Sequence, residues 1–413
     1  MNNFGQGFSV LLLMNFIERN KLTLLKLSIA ILALLAFLKI SDEFFRLILS
    51  DSGNAAIDLK VLKRGINLWF SNRPIVAELH SAVYPPTSYA MLWPFIGWID
   101  FSTARVVMAI SFIPSLMLTA YLFLKNSLAK NTEELFVAAL IPLSMNAVGV
   151  TIGNGQFGLH VLLLFVFAIL LLKQKEVSFA KEILISIMIL ISLIKPSVTA
   201  PFLWILFIVY PNRRVIILTI FSYTLLTLAA FYFRETNLQK VVSVVSDTLN
   251  NIRWGTIVGT SHEGYANLHS LLAYLGLERL NLIASGIFFI IFGFWVYLNK
   301  KADIWLLLAV TAIFSRLWMY HRVYDDILLI VPMITLFRLV KLEHLNIGIK
   351  QISLILLIIT TVSMIAPARL QLLAPWSYFF VWGHIIVWLV LLFWFLFLIR
   401  RTSHSTNTTY CNH

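Results

Sequence analysis

The stretch SDSGNAAIDLKVLKRGINLWFSNRPIVAELHSAVYPP, residues Ser50 to Pro86, is polar and charged in a chain that is otherwise mostly apolar. It holds Asp51, Asp58, Gly65 and Trp69 and closes on Tyr84-Pro85-Pro86. An apolar run precedes it, and apolar runs follow it almost to the C-terminus. The 413-residue chain is 60% hydrophobic and only 12% charged, whereas soluble domains carry about a quarter charged residues. One soluble core cannot absorb that much apolar surface, and runs long enough to cross a bilayer recur along the chain. It reads as an all-α polytopic membrane protein, and a long polar loop bearing carboxylates is where such a protein does chemistry.

Working outward, Phe8 to Ile17 is apolar but too short to span and reads as an interfacial helix. The first span is expected at Leu24–Ile40, as an uncleaved anchor. Further spans are expected at Ser102–Leu124, Phe136–Val150, Gly158–Leu172, Val215–Phe233, Asn281–Leu298, Ile304–Met319, Ile327–Val340, Ile352–Ala366 and His384–Ile399. An apolar stretch from Ile183 to Tyr210 is interrupted by Lys195-Pro196-Ser197. With the N-terminus in the cytoplasm, the connections Lys125–Leu135, Lys173–Glu182, Pro211–Arg214, Asn299–Asp303 and Lys341–Lys350 each carry at least two Lys or Arg, and Arg400 and Arg401 follow the last span. That is the positive-inside pattern. Lys173–Lys181 and Arg213-Arg214 both belong inside, so the stretch between them is expected to be a hairpin of two short helices with Lys195 at its outer tip.

The count comes to about twelve crossings with both ends cytoplasmic. This gives a single membrane domain over 1–401, a first extracytoplasmic loop over 41–101, a second outer loop over 234–267, and a polar cytoplasmic tail over 402–413, expected to be disordered. The opposite face keeps most of the 19 acidic residues. The net charge of +13 is therefore largely a topology signal and does not point to nucleic acid. The one cysteine, Cys411, lies in the tail and leaves no disulfide or thiolate metal site.

Charged groups cost roughly 2.5–3.5 kcal/mol at the centre of a membrane helix and usually mark a pathway or a site. Here they collect at one face. Asp51 and Asp58 come from the first loop, Asn154 and Gln156 from Gly153-Asn154-Gly155-Gln156, and Lys195 from the hairpin tip. Arg316, His321, Arg322, Asp325 and Asp326 come from one short segment. Carboxylates, a histidine and permanent cations together can abstract a proton and hold a phosphate. Each piece also has a plain structural reading. Asp51 can cap a helix starting near Gly53. Tyr84-Pro85-Pro86 can be a rigid lead-in to the next helix, and Gly153-Asn154-Gly155-Gln156 a tight turn. Lys195 can snorkel, and Asp325-Asp326 suits a helix N-terminus. The common side of these residues carries the functional reading.

There is no Asp-x-Asp triplet, no phosphate-loop signature and no zinc-ligand pattern, so metal-held nucleotide sugars, ATP-driven chemistry and metalloprotease chemistry have no residues to rest on.

In order along the chain, Asp51-Ser52-Gly53, Lys63-Arg64-Gly65-Ile66-Asn67-Leu68-Trp69, Val83-Tyr84-Pro85-Pro86, Gly155-Gln156, Ile194-Lys195-Pro196, Asn267-Leu268-His269-Ser270 and Trp318-Met319-Tyr320-His321-Arg322 with Asp325 resemble glycosyltransferase family 87. These are integral-membrane enzymes of the GT-C class, related to polyprenyl-phosphate-mannose-dependent mannosyltransferases. The resemblance implies a GT-C-type bundle and transfer of a hexose, mannose favoured, to a hydroxyl. The donor would be a polyprenyl-phosphate sugar and the acceptor a lipid-linked molecule or glycan, on the outer face of the plasma (inner) membrane. It implies inversion, no metal, and no cofactor beyond the lipid-phosphate sugar itself. It places Asp51 as general base, with Asp58, two helical turns on along the same face, as the alternative. His321 would be a second active-site group, and Tyr84, Asn154, Gln156, Asp58 and Asp325 would contact substrate. Lys195 and Arg322 are the cations expected to meet the donor phosphate, where leaving-group charge grows. A transporter or lipid flippase is the competing reading, although the two halves show no internal repeat. A ligase joining lipid-linked glycans would call for a larger outer loop.

Overall fold

The computed structural model describes residues 4–73, 75–79, 84–174, 176–234, 267–319, 321–366 and 376–409, with isolated positions between 239 and 246. Among these residues the chain is helical, with no strand. Six helices are long and apolar enough to cross a bilayer, and eight if two bent pairs each count as one span.

Helix α1 runs unbroken from Phe4 to Ile48, merging the expected interfacial helix with the first span and passing the expected end at Ile40. No proline interrupts residues 1–48, and the polar residues between the two apolar runs are tolerated in a helix. The residues after it are folded rather than open loop. They comprise α2 (Ile57–Phe70), a turn at Ile75–Glu78, α3 (Pro86–Leu92) and a π-helical turn (Trp93–Gly97). Leu59, Leu62, Ile66 and Trp69 form one buried face of α2, the stripe of an amphipathic helix. Trp69 Nε1 donates to Ala230 O at 2.9 Å. Tyr84-Pro85-Pro86 takes the lead-in role, with Pro85 at the N-cap and Pro86 at N1 of α3, where a missing N–H costs nothing.

Next come α4 (Phe101–Asn126), α5 (Thr132–Leu143), α6 (Asn146–Asn154) and α7 (Gly158–Leu172). The span expected at Phe136–Val150 is broken, because Pro142 ends α5 and α6 leaves at 47°. The apolar stretch from Ile183 to Tyr210 begins inside α8 (Phe179–Ser192) and then turns by 115° before an irregular arm. That arm is a turn at Pro196–Thr199, a 3-10 turn at Ala200–Phe202 and a π turn at Ile205–Val209. Pro196 and Pro201 each remove a backbone donor there. The chain continues as α9 (Arg213–Tyr232), α10 (Leu268–Tyr274), α11 (Asn281–Leu298) and α12 (Ile304–Trp318). A 3-10 segment (Val323–Leu329) follows, then α13 (Ile330–Lys341), α14 (Ile347–Ile365) and α15 (Trp376–Thr409). The tail expected to be disordered from Thr402 thus continues helical to Thr409, as an established helix adds residues cheaply. The second outer loop, 234–267, lies almost wholly outside the described residues.

Some of the expected spans are too short to cross alone. Helices α7 and α12 have 15 residues each, about 22 Å at 1.5 Å per residue, against a hydrocarbon core of about 30 Å. All of α12 from Ile304 to Ile313 is buried. A helix apolar on every side can be covered by protein as well as by lipid, and here other helices cover it. One contiguous core extends from Leu32 to Ile399.

Candidate active site

Four breaks in helical structure converge at one end of this bundle. The first is the turn after α6. Gly155 closes the helix with φ +67°, the left-handed cap that glycine adopts without Cβ strain, and the turn brings Asn154 and Gln156 into the interior. Gly149 and Gly153 let α6 lie directly on α1. A Cβ on Gly149 would come within 2.6 Å of Lys39 Cγ, and one on Gly153 would collide with the Glu43 and Arg46 side chains. Glu43 and Arg46 are themselves paired at 2.6 Å.

The second break is the start of α2. Ala56 sits in the left-handed region at φ 48°, fully buried, with its N–H donating to Gly153 O at 2.9 Å. That bond holds a conformation alanine avoids and points the next turn, with Asp58, at the end of α6. Asn154 Nδ2 donates to Asp58 Oδ2 at 2.9 Å.

The third break is at Lys195. A residue before proline is disfavoured in helix, and Lys195 adopts φ −124°, ψ 77°. The loose carbonyls find partners: Ser88 Oγ donates to Ile194 O at 2.7 Å and Thr199 Oγ1 to Ser192 O at 2.9 Å. The Lys195 ammonium leaves the helix for the interior.

The fourth is the segment between α12 and α13. Trp318 Nε1 donates to Ser197 O at 2.9 Å, docking the end of α12 on the Lys195 break, while Asn267 Nδ2 donates to His321 O at 3.3 Å. Asp325 sits in the following 3-10 turn.

At the centre, Asp325 is almost fully saturated. Its Oδ1 accepts from Lys195 Nζ at 2.6 Å, and its Oδ2 from His321 Nδ1 at 3.0 Å and Arg322 N at 3.2 Å. His321 Nε2 faces Ser197 O at 3.2 Å. Both ring nitrogens thus face acceptors, so a neutral ring leaves one contact unmade, while burial pushes the His321 pKa down against the opposing pull of Asp325. Burial by itself would raise the pKa of Asp325, but Lys195 and His321 outweigh it and hold the carboxyl below the usual carboxylate range. Asp58 moves the other way. Burial pushes it up, opposed by Lys195, by the Asn154 hydrogen bond and by Arg322. Gln156 Oε1 lies 3.5 Å from both Lys195 Nζ and Tyr84 Oη, and the Lys195 ammonium lies 5.1 Å from the Tyr324 ring centre.

The structure therefore gathers Asp58, Tyr84, Asn154, Gln156, Lys195, His321 and Asp325, with Arg322 exposed beside them. Asp51 is exposed in the turn after α1 and is not brought to this group, and it does not cap α2, whose N-cap is Ala56. Lys195 and Arg322, expected to act together on a phosphate, are separated in role: Lys195 is engaged by Asp325, whereas Arg322 reaches solvent. Arg316 and Asp326 form a second, deeper ion pair at 2.7 Å. Tyr324 was missed in the sequence. Its only signal there was its place between Arg322 and Asp325. Among the described residues no group of three or more His, Cys, Asp or Glu could hold a metal ion.

A family model described as glycosyltransferase family 87 matches residues 82–340, more than half of the chain. The chain belongs to this family. No curated protein matches it, and no solved structure matches it. The matched range takes in Tyr84, Asn154, Gln156, Lys195, His321, Arg322 and Asp325, so all of the gathered groups except Asp58 sit within the part of this membrane glycosyltransferase that the family model covers. Asp51 and Asp58 both precede it.

Proposed function

We propose that the transferase moves a hexose, mannose favoured, from a polyprenyl-phosphate donor to a hydroxyl of a lipid-linked or glycan acceptor, with inversion, and that Asp58 rather than Asp51 is its general base. The observation that carries the base assignment is the 2.9 Å hydrogen bond from Asn154 Nδ2 to the half-buried Asp58, next to Lys195 and Arg322, while Asp51 is exposed. The acceptor oxygen attacks C1 as its proton passes to the Asp58 carboxylate. The C1–O bond to phosphate breaks, and the polyprenyl phosphate leaves with the electron pair. A carboxylate pushed up by burial is a better base at neutral pH, and such assistance contributes roughly 10²–10⁴-fold. Arg322 is the cation we assign to the departing phosphate, since it is exposed beside the site and lies close enough to Asp58 to act on its charge. Lys195 and His321 hold Asp325, and Asp325 sets the local field around Asp58. Tyr84 and Gln156 line the acceptor side. The positive-inside distribution of Lys and Arg supports an extracytoplasmic site in the plasma membrane, with both termini cytoplasmic and a GT-C-type bundle.

The test is sugar transfer by purified protein from polyprenyl-phosphate sugars and from nucleotide sugars, with Asp51→Asn and Asp58→Asn. The expected result is transfer from the lipid donor alone, reduced roughly 10²–10⁴-fold in Asp58→Asn and kept in Asp51→Asn. Loss in Asp51→Asn alone would return the base to the exposed turn. Transfer from nucleotide sugars would remove the lipid donor from the reading.

A further inference from the structure

The segment joining α3 to α4 was expected to be extramembrane loop, yet it presents its largest apolar side chains outward. Trp93, Phe95 and Trp98 are 44%, 65% and 69% exposed, whereas Ile96 between them is buried. Polar residues would cover an outer loop bathed in water. The aromatic surface also continues sideways. The Trp93 ring lies 5.7 Å from Phe70, Phe70 lies 6.5 Å from Phe233, and Phe233 lies 5.6 Å from Tyr232. Tyr232 is the last residue of α9, and Trp98 is three residues before the first residue of α4. Both helices are long and apolar enough to cross the bilayer, so this strip of rings is continuous with the ends of two spans at the end of the bundle that holds the site. Trp and Tyr gather at that depth because one part of the ring is apolar and the other hydrogen-bonds.

A second observation ties the strip to the site. Lys63, buried on α2, donates its ammonium to the carbonyls of Ile96 at 3.0 Å and Ile99, with Gly97 O at 3.5 Å. These carbonyls lie at the end of the π turn and just beyond it, where the last carbonyls of a helix need partners from outside it. The same helix carries Asp58 five residues earlier.

We propose that Trp93, Phe95 and Trp98 are seated in the headgroup–acyl boundary of the bilayer on the side of the site, and that Lys63 makes this anchor the reference for the height of α2, and so of Asp58, above the acyl chains. Lys63 is a positioning residue. The importance of that height for transfer rests on Asp58 being the base, but the seating and the clamp do not.

The single cysteine allows a clean test. In a Cys411→Ser background in lipid nanodiscs, nitroxides are placed by Phe95→Cys and Trp98→Cys. Asp51→Cys serves as water reference and Ile110→Cys, exposed on α4, as bilayer reference. Depth is read from relaxation by oxygen against a water-soluble nickel chelate. The labels at 95 and 98 are expected about 5–10 Å below the headgroups. Accessibility to nickel equal to that at 51 would overturn the seating. A label from Lys60→Cys then reports α2 itself. Lys63→Met, or Trp93→Ser, Phe95→Ser and Trp98→Ser together, is expected to shift its depth, and Lys63→Arg to restore it. An unmoved label in the folded Lys63→Met protein would overturn the clamp. Neither readout depends on sugar transfer, so an inactive Asp51→Asn protein would sink the base assignment and leave the anchor standing.

Discussion

Asp325 and Asp326 are adjacent, both buried and both ion-paired, yet they face different worlds. Asp325 is held by Lys195 and His321 and acts on the charge of Asp58, and the same Lys195 ammonium lies 3.5 Å from Gln156 Oε1. Asp326 is held by Arg316, whose guanidinium lies 4.2 Å from the Trp388 ring centre. It borders a small cavity shared with Asn146, Met364, Phe380 and His384. The pair around Asp325 joins breaks in helical structure from four parts of the chain and adjoins a group that reaches solvent. The pair around Asp326 joins α12, the 3-10 turn and α15 inside the bundle. Burial of charge therefore does not by itself mark function. What else can reach the charge does.

The largest expected effect separates the two carboxylates. Asp326→Asn or Arg316→Met leaves one buried charge without its partner, which costs about 3–5 kcal/mol. We expect a large fall in thermal stability with turnover per folded molecule preserved. Asp325→Asn is expected to cost comparable stability and, unlike the first two, to lower turnover by roughly 10²-fold. It leaves Lys195 to pair with Asp58 and draws that carboxylate down, weakening it as a base. Thermal unfolding and active-site-normalised rates measured on the same samples decide the matter. If Asp326→Asn reduces turnover as much as Asp325→Asn, the distinction between the pairs fails.

The distinction sharpens further if both partners of the deep pair are replaced. Arg316→Met with Asp326→Leu removes the charges together, and apolar replacements of a buried pair are often neutral or better. The double variant is expected to recover most of the stability lost by either single variant. A double variant no more stable than the singles would show that the pair does more than neutralise itself.

A smaller effect is expected at the contact between α1 and α6. Gly153→Ala places a methyl where Glu43 and Arg46 already lie, and overpacking of this kind costs about 1–3 kcal/mol. The shift passes through Asn154 to Asp58. Transfer is expected to fall more than it does in Gly149→Ala, one turn further from the site, where the neighbour is the flexible Lys39 stem.

Much of this was legible in the sequence because it depends on composition and local pattern. The membrane class, the polar segment after the first span, the break at Lys195-Pro196 and the charges of 316–326 all follow from one-dimensional signals. The role of α12 did not, since hydropathy reports an apolar helix and not whether lipid or protein covers it. Nor did the contrast between Asp51 and Asp58. Seven residues apart, both suit a polar loop. What separates them is the left-handed Ala56 held by Gly153 O, a contact between residues 97 positions apart in sequence. The partition of Lys195 from Arg322 was hidden for the same reason, because it requires knowing that Asp325 folds back onto Lys195.

The smallest effect is a shift in pH dependence, and it bears on Asp58 alone. Burial raises its pKa, and Lys195, Asn154 and Arg322 oppose that rise. A base works only when ionised, so kcat/KM falls on the acid side as pH drops through the Asp58 pKa, which lies above the usual aspartate value. The Asn154 N–H stabilises the ionised form more than the protonated one, so Asn154→Ala moves the pKa, and the acid limb, upward. A hydrogen bond to a charged group is worth about 1.5–3 kcal/mol and one pKa unit is about 1.4 kcal/mol. Asp58 is half-buried, so water recovers part of the loss and the upward shift is smaller than the full bond would give. Asp325→Asn is expected to move the same limb downward, because it removes a neighbouring negative charge and releases Lys195 towards Asp58. Opposite shifts in these two variants, with no shift in Asp51→Asn, identify the titrating group by its surroundings. A limb that stays fixed in both, or follows Asp51→Asn, would take the base away from Asp58.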